Sequence, residues 1–301
     1  FASAEAPPSV TTIVDNGPPS NRIDLVLVGD GYTSAELNTY VNDSSALVVA
    51  FFDELPLDEY ASFFNVHRVD VFSTDSGVDN DPVQGILKNT ALDMEFWCSG
   101  IERLLCVNIG KAENKAAAAP DVDQILGLAN SSKYGGAGYP SSDLGTLSAQ
   151  DPSSVEIAKH EFGHSFANLA DEYDYGGPTT WTGGEPSERN VSIHDSASMA
   201  SLQTKWRLWL TAPGVGTFEG ANYSVFGIYR PTFNSKMRNL FQPFDEVNTE
   251  RFIIKMYYEK GLTMREIGEI LALTESRVCQ IHSNVMSRLK GLLGQRHESL
   301  L

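Results

Sequence analysis

The sequence predicts an α/β (α+β) domain with a mostly parallel or mixed sheet, followed by a small all-α module of helix-turn-helix type. Three observations carry this. Strand and helix patterns alternate over residues 22–130, which is how covered sheets are built. A later helical segment, "HEFGHSFANLADEY" (160–173), holds two histidines four residues apart. Residues 262–293 carry a helix-turn-helix pattern, and the charge balance of the last fifty residues has the opposite sign to that of the rest.

The elements follow in order. Residues 1–21 are rich in Pro, Ser and Thr and read as an extended lead-in. The start "FASAEAPPSV" lacks an initiator Met and a charged-then-apolar leader, and reads as a mature or trimmed start. "IDLVLVGDGY" is an apolar run closed by a Gly-Asp-Gly turn, a strand signal. Residues 34–55 read as a helix with Leu37, Tyr40, Val41 and Leu47 on its apolar side. "FNVHRVDVFS" alternates around Val66, Val69 and Val71 as a second strand, and "DQILGLAN" (123–130) is a third. Between them "STDSGVDNDP" (73–82) is a turn-rich loop. It reads first as an ordinary solvated loop; its Asp75, Asp79 and Asp81 make calcium the alternative, as a second cofactor, although the spacing is not that of the helix-loop-helix calcium motif. "GGAGYPSS" (135–142) reads as a loop.

Composition sets outer limits. The 301 residues are 42% hydrophobic and 10% aromatic, enough for a sizeable core. No apolar run approaches the roughly eighteen residues of a membrane span. The net charge of -17 argues against polyanion binding along the whole surface. Residues 1–250 carry 14 Lys and Arg against 34 Asp and Glu, whereas residues 251–301 carry 8 against 5. Cys98 and Cys106 in "CSGIERLLC" are close enough to pair in an oxidising compartment, with two buried thiols as the alternative; Cys279 is left over.

The metal signal is stronger. Ser153 and Glu156 have the spacing of a capping box that would start a helix over "SSVEIAKHEFGHS". His160 and His164, one turn apart, can then meet one ion, and Glu161 lies beside that face. Zinc lowers the pKa of its bound water towards about 7 and polarises a carbonyl; a carboxylate next to that water can shuttle its proton. A third ligand requires the helix to stop and the chain to turn back. Asn168 suits that stop, because after Gly it best tolerates the left-handed conformation. Asp171 is then the third ligand of choice and Glu172 the runner-up, one residue of register deciding between them. His194 and Glu185 would need a longer return.

"HEFGHSFANLADEY" resembles the IgA-peptidase-like metallopeptidases, whose pattern is HEFGHSFAGLADEY. "LVGDGYTSAE", "FFNVHRVDVFSTDSGVDNDP", "TALDMEFWCSGIERLLCV", "KYGGAGY" and "WTGGEPSERNVS" resemble segments of the same family in the same order, so the resemblance covers about residues 22–245. It implies a metzincin-like zinc peptidase: a twisted mixed sheet, the zinc helix beneath it and a cleft across the middle. It again points to Asp171 as third ligand. "YRPTFNSKMRNL" resembles the family's Met-turn, which implies Met237 under the metal. Asn168 stands where the family usually has Gly, and "NSKM" lacks a Cys found in some relatives. Tyr173, Tyr229, Tyr223 and Arg230 are candidates for stabilising the oxyanion of a tetrahedral intermediate.

The last fifty residues read differently. In "LTMREIGEILALTESRVCQIHSNVMSRLKGLL" (262–293), Thr263 and Glu266 can cap one helix and Thr274 the next. Val278, Ile281, Val285 and Leu289 recur at helical spacing, which leaves Glu275, Ser276, Arg277 and Gln280 at the start of the second helix, where a recognition helix meets base edges. The wording resembles the C-terminal promoter-reading region of flagellar-type sigma factors. The expected domains are therefore a lead-in (1–21), a catalytic domain (22–247) and a helix-turn-helix-like tail (248–301), with the join inside 244–261. The expected activity is zinc-dependent hydrolysis of protein or peptide substrates outside the cytoplasm, with Glu161 as general base and no membrane partner. The alternatives are a DNA-binding protein acting through the tail in the cytoplasm, or a chimera of both.

Overall fold

The computed structural model describes residues 8–55 and 57–260. They belong to two compact units, one reaching to Phe166 and one starting at Ala167.

The first unit is built on a six-stranded sheet. Its strands are β1 (Ser9–Val14), β2 (Ile23–Asp30), β3 (Phe64–Asp70), β4 (Gln124–Ala129), β5 (Gly136–Tyr139) and β6 (Leu144–Ser148), in the spatial order β1-β3-β2-β4-β6-β5. The four inner strands run parallel, and an antiparallel strand closes each edge. Every residue of β2, β3 and β4 is buried, as expected of parallel strands covered on both faces. The lead-in contributes the edge strand β1. "GGAGY", whose glycines argue for a loop, forms β5 instead, because its pairing with β6 outweighs weak strand propensity.

Helix α1 (Leu37–Phe51) follows a 3-10 turn over Ser34–Glu36 and is shorter than the expected 34–55. Its buried stripe is Tyr40, Ser44, Leu47, Val48 and Phe51, a helical period, while Leu37 and Val41 are only half-buried. A short α2 (Leu57–Tyr60) leads into β3. One core cluster gathers Val26, Val28, Val69, Met94, Phe96 and Leu105 with Ala112 and Ala116 of α3 (Ile109–Ala116). Elsewhere in this unit Phe51, Phe64, Phe162 and Phe166 meet, with ring centroids 4.7 to 6.2 Å apart; such rings supply much of a core's burial energy. This cluster carries α4 (Ser154–Ser165), the helix of the two histidines.

The long stretch between β3 and α3 is held from below by the buried Asp30. Its Oδ1 accepts from Leu92 N (2.9 Å) and its Oδ2 from Met94 N (2.8 Å). Burial pushes the Asp30 carboxyl up, against the pull of these donors. Cys98 and Cys106 are joined by a disulfide, S–S 2.08 Å.

The second unit has less regular structure: α5 (Ser196–Leu202), a hairpin of β7 (Phe218–Ala221) and β8 (Ser224–Arg230), and α6 (Glu246–Lys260). Met199, Trp206 and Val247 form one cluster, and Ala170, Val191, Ala221 and Ile228 another. α6 is continuous across residues 247 and 248. Asp245 caps it, accepting from Asn248 N at 2.8 Å, and it is anchored by buried Phe252 and Met256 and by Trp209 Nε1 donating to Glu250 (2.8 Å). The expected helix-turn-helix, with Glu275, Ser276, Arg277, Gln280 and Cys279, lies outside the described residues. Among the described residues no helix is long and apolar enough to cross a membrane.

Candidate metal centre

The capping box expected at the start of α4 does not form. Ser153 makes no side-chain cap bond; Asp151 takes over, accepting from Ser153 N through Oδ1 (2.7 Å) and from Ser154 N through its carbonyl (2.9 Å). Glu156 turns instead to Lys159, 3.5 Å away. That lysine is 2% exposed and also meets Asp53 and Glu54 at 2.9 Å each. A buried ammonium requires such counter-charges, and this demand outcompetes the cap.

On the next turn the ring nitrogens of the two histidines converge. His160 Nε2 and His164 Nε2 are 3.1 Å apart, with their rings at 89°. Ligand atoms of His160, Glu161 and His164 all lie within 4.8 Å of one another. Two imidazoles bound to one zinc at about 2.0–2.1 Å would place their nitrogens roughly 3.1–3.4 Å apart, so the pair fits that ion and its nitrogen-rich donor preference. His160 and Glu161 are each 7% exposed, which keeps competing water low and fixes the rotamers.

Close approach of β5 to α4 produces this packing. A Cβ built on Gly138 would meet His164 Cβ at 2.6 Å and Glu161 Oε2 at 3.1 Å, and one on Gly136 would meet Ile157 Cγ2 at 2.5 Å. Only glycine lets the strand lie against the histidine-bearing face of the helix. At the other end α4 stops after Ser165, and Asn168 takes φ 52°, the left-handed conformation.

The segment that follows is held firmly within the second unit. Asn190 exchanges two hydrogen bonds with the Ala170 backbone and donates a third to Glu172 Oε1 (2.8, 2.8 and 2.9 Å). Glu172 N donates to Met237 O (2.8 Å), Arg238 donates to Glu172 O (2.9 Å), and Asn222 N donates to Asp171 O (2.9 Å). Met237 is fully buried. Asp171 is buried, and the Tyr223 hydroxyl donates to its Oδ2. Neighbouring Glu172 turns the other way: Asn190 and Ser235 (2.6 Å) occupy its two oxygens. Burial, and then the charge of Asp245, hold its carboxyl well above the usual carboxylate range. Neither Asn190 nor Arg238 carries a motif signal; their roles come from long-range contacts.

The remaining candidates are occupied locally. Glu185 accepts from Ser192 (2.9 Å) and Ile193 N (2.9 Å) and pairs with Lys205 (3.3 Å) and His194 (3.9 Å). Arg230 is buried and spends its guanidinium on the carbonyls of Glu219, Gly220 and Phe233. Tyr173 sits in a ring cluster with Tyr175 and Tyr223, and Tyr229 lies on β8 with its backbone paired to Ser192. The loop aspartates are used on backbone: Asp75 accepts from Asn89 N (2.7 Å) and Asp79 from Lys88 N. Among the described residues, the groups able to hold a metal are the His160 set and Asp24, Asp121 and Asp123; the loop that suggested calcium is not one of them.

Two families match the chain. The one described as IgA Peptidase M64 matches residues 11–214, and the one described as Sigma-70, region 4 matches residues 248–291. The curated relatives align with the C-terminal part. The RNA polymerase sigma factor FliA of Pseudomonas aeruginosa is 33% identical over 72 residues, 24% of this chain and 28% of that protein. The RNA polymerase sigma-D factor of Bacillus subtilis is 43% identical over 44 residues (15% and 17%), and FliA of Escherichia coli K12 is 41% identical over 46 (15% and 19%). The match thus spans less than a third of the length of each of these relatives.

Proposed function

The chain belongs to the IgA Peptidase M64 family, and on that premise we propose that it is a zinc-dependent endopeptidase acting on protein substrates. Family membership supports a peptidase with a metal cofactor. The observation that carries the finer reading is the 3.1 Å convergence of His160 and His164 Nε2 with the Glu161 carboxylate beside them.

His160, His164 and Asp171 would hold the ion in this proposal. Asp171 is favoured over Glu172 because Glu172 is committed to Asn190 and Ser235, whereas Asp171 follows the left-handed stop at Asn168 and has one oxygen oriented by Tyr223. When bound, zinc supplies a Lewis acid and an acidified water. Glu161 accepts the proton of the attacking water and returns it to the leaving amine. Met237 supports the site from within the second unit's core. Tyr173 and Tyr229 are the proposed oxyanion donors; loss of the operative hydroxyl by Tyr→Phe is worth about 10²–10³ in kcat. The metzincin-like architecture belongs to the same proposal, as does a secreted or extracytoplasmic location, which the Cys98–Cys106 disulfide supports.

The test is direct. Chelation abolishes cleavage of a protein substrate and zinc restores it, while Glu161→Ala keeps the metal and lowers turnover by about 10²–10⁴. Cleavage indifferent to chelator sinks the proposal.

A second reading rests on the match at residues 248–291: the tail binds promoter DNA through Glu275, Ser276, Arg277 and Gln280. Such a role places the chain in the cytoplasm, and the two modules together make it a chimera.

A further inference from the structure

Asp24 is the second residue of strand β2 and is fully buried. Its register partner on β3 is Asn65, and β3 supplies both donors to its Oδ1: Asn65 Nδ2 at 3.1 Å and His67 Nε2 at 2.8 Å. The other ring nitrogen of His67 meets Thr12 Oγ1 at 3.0 Å, so this histidine is fully engaged. Oδ2 of Asp24 has no hydrogen-bond partner and no exposure to solvent.

On the other side of β2 from β3 lies β4. Leu25 is paired with Gln124, which sets Asp123 beside Asp24. Asp24 N donates to Asp123 Oδ2 (2.7 Å), and Asp123 N donates to Asp24 O (3.0 Å). Asp121, two residues earlier, brings a third carboxylate, and one oxygen from each of the three lies within 4.8 Å of the others. A buried carboxylate oxygen without a donor is costly.

We infer that Asp24, Asp121 and Asp123 form a calcium site, separate from the histidine centre, that ties the loop entering β4 to the start of β2. A cation there satisfies the orphan oxygen. The donors are all oxygens, which selects a hard ion. Oxygens on one calcium at about 2.3–2.6 Å can stand up to roughly 5 Å apart, a span that accommodates the cluster. Few protein ligands and one exposed member (Asp121) place the affinity at about 10⁻⁴–10⁻³ M.

The experiment uses the full chain, stripped with chelator and reloaded with zinc so that the histidine centre is constant. Calcium is then titrated calorimetrically, and thermal unfolding is followed with and without millimolar calcium. One calcium per chain and a higher unfolding temperature are expected. Asp121→Asn and Asp123→Asn weaken calcium binding by about tenfold or more and shrink the calcium-induced rise in unfolding temperature, and His160→Ala retains calcium binding. Because Asp24→Asn also disturbs the His67 and Asn65 contacts, the two loop variants carry the test. Absence of binding and of a thermal shift overturns the inference, as does undiminished binding in both loop variants. Magnesium binding in place of calcium overturns the assignment of the ion.

Discussion

At Asp171 the hydroxyl of Tyr223 donates to Oδ2, so the carboxylate would enter a metal shell with one oxygen already oriented. Such outer partners usually contribute about 10–100-fold to metal affinity. Tyr223→Phe should therefore weaken zinc by that factor in a chelator-competition assay with little change in unfolding temperature; unchanged affinity removes the Asp171–Tyr223 pair from the site. One residue along, Glu172 makes a different prediction. Its carboxyl is raised by burial and by Asp245, and burial raises Asp245 too. An acid whose folded pKa exceeds its unfolded value holds its proton more tightly when folded. Its contribution to stability is complete at acid pH and is lost as pH rises from the ordinary carboxylate range through the folded value. Glu172→Gln should flatten the fall in unfolding temperature between mildly acid and neutral pH, and an unaltered pH slope would exclude Glu172 as its source.

At the scale of elements, the fit of α4 against β5 decides where the histidines point. Gly138→Ala forces a Cβ to 2.6 Å from His164 Cβ, an overpacking worth about 1–3 kcal/mol. It should lower both the unfolding temperature and zinc affinity, because the histidine-bearing turn must move. At the end of the same helix, Asn168 holds φ 52°. Asn168→Ala should cost about 1 kcal/mol in denaturant unfolding, and Asn168→Gly should be tolerated. Equal effects of the two would show that the left-handed turn is not what ends the helix.

On the scale of the whole molecule, the acidic charge bears on the tail. A body with 34 acidic against 14 basic residues, joined to a tail with 8 basic against 5 acidic, should bind DNA weakly and with strong salt dependence, since phosphate contacts drive affinity. In a promoter-DNA shift assay on the full chain, Arg277→Ala should abolish a specific band if the tail reads bases; a band that survives the change argues against the DNA-binding reading. The match to sigma region 4 begins within α6, whose Phe252 and Met256 are buried and whose Glu250 meets Trp209. The described start of the tail-like segment is therefore integral to the second unit's packing.

What the sequence determined by itself was whatever is encoded locally. Strands β2 and β4 are written in short apolar runs and β3 in its alternation around Val66, Val69 and Val71, the histidine pair in its four-residue spacing, and the helix stop in Asn168. Tertiary structure alone decided the rest. "GGAGY" became a strand because β6 supplied hydrogen bonds and α4 required a surface without side chains. The capping box at Ser153 gave way because Asp151 accepts from the helix start and Glu156 joins Asp53 and Glu54, about a hundred residues away in sequence, around the buried Lys159. Glu172 is held by Asn190 and Ser235, and among the described residues the aspartates brought within 4.8 Å of one another are Asp24, Asp121 and Asp123, not those of the 73–82 loop. Periodicity and spacing report what a segment does alone; hydrogen bonds and charges that join distant segments exist only once the chain has folded.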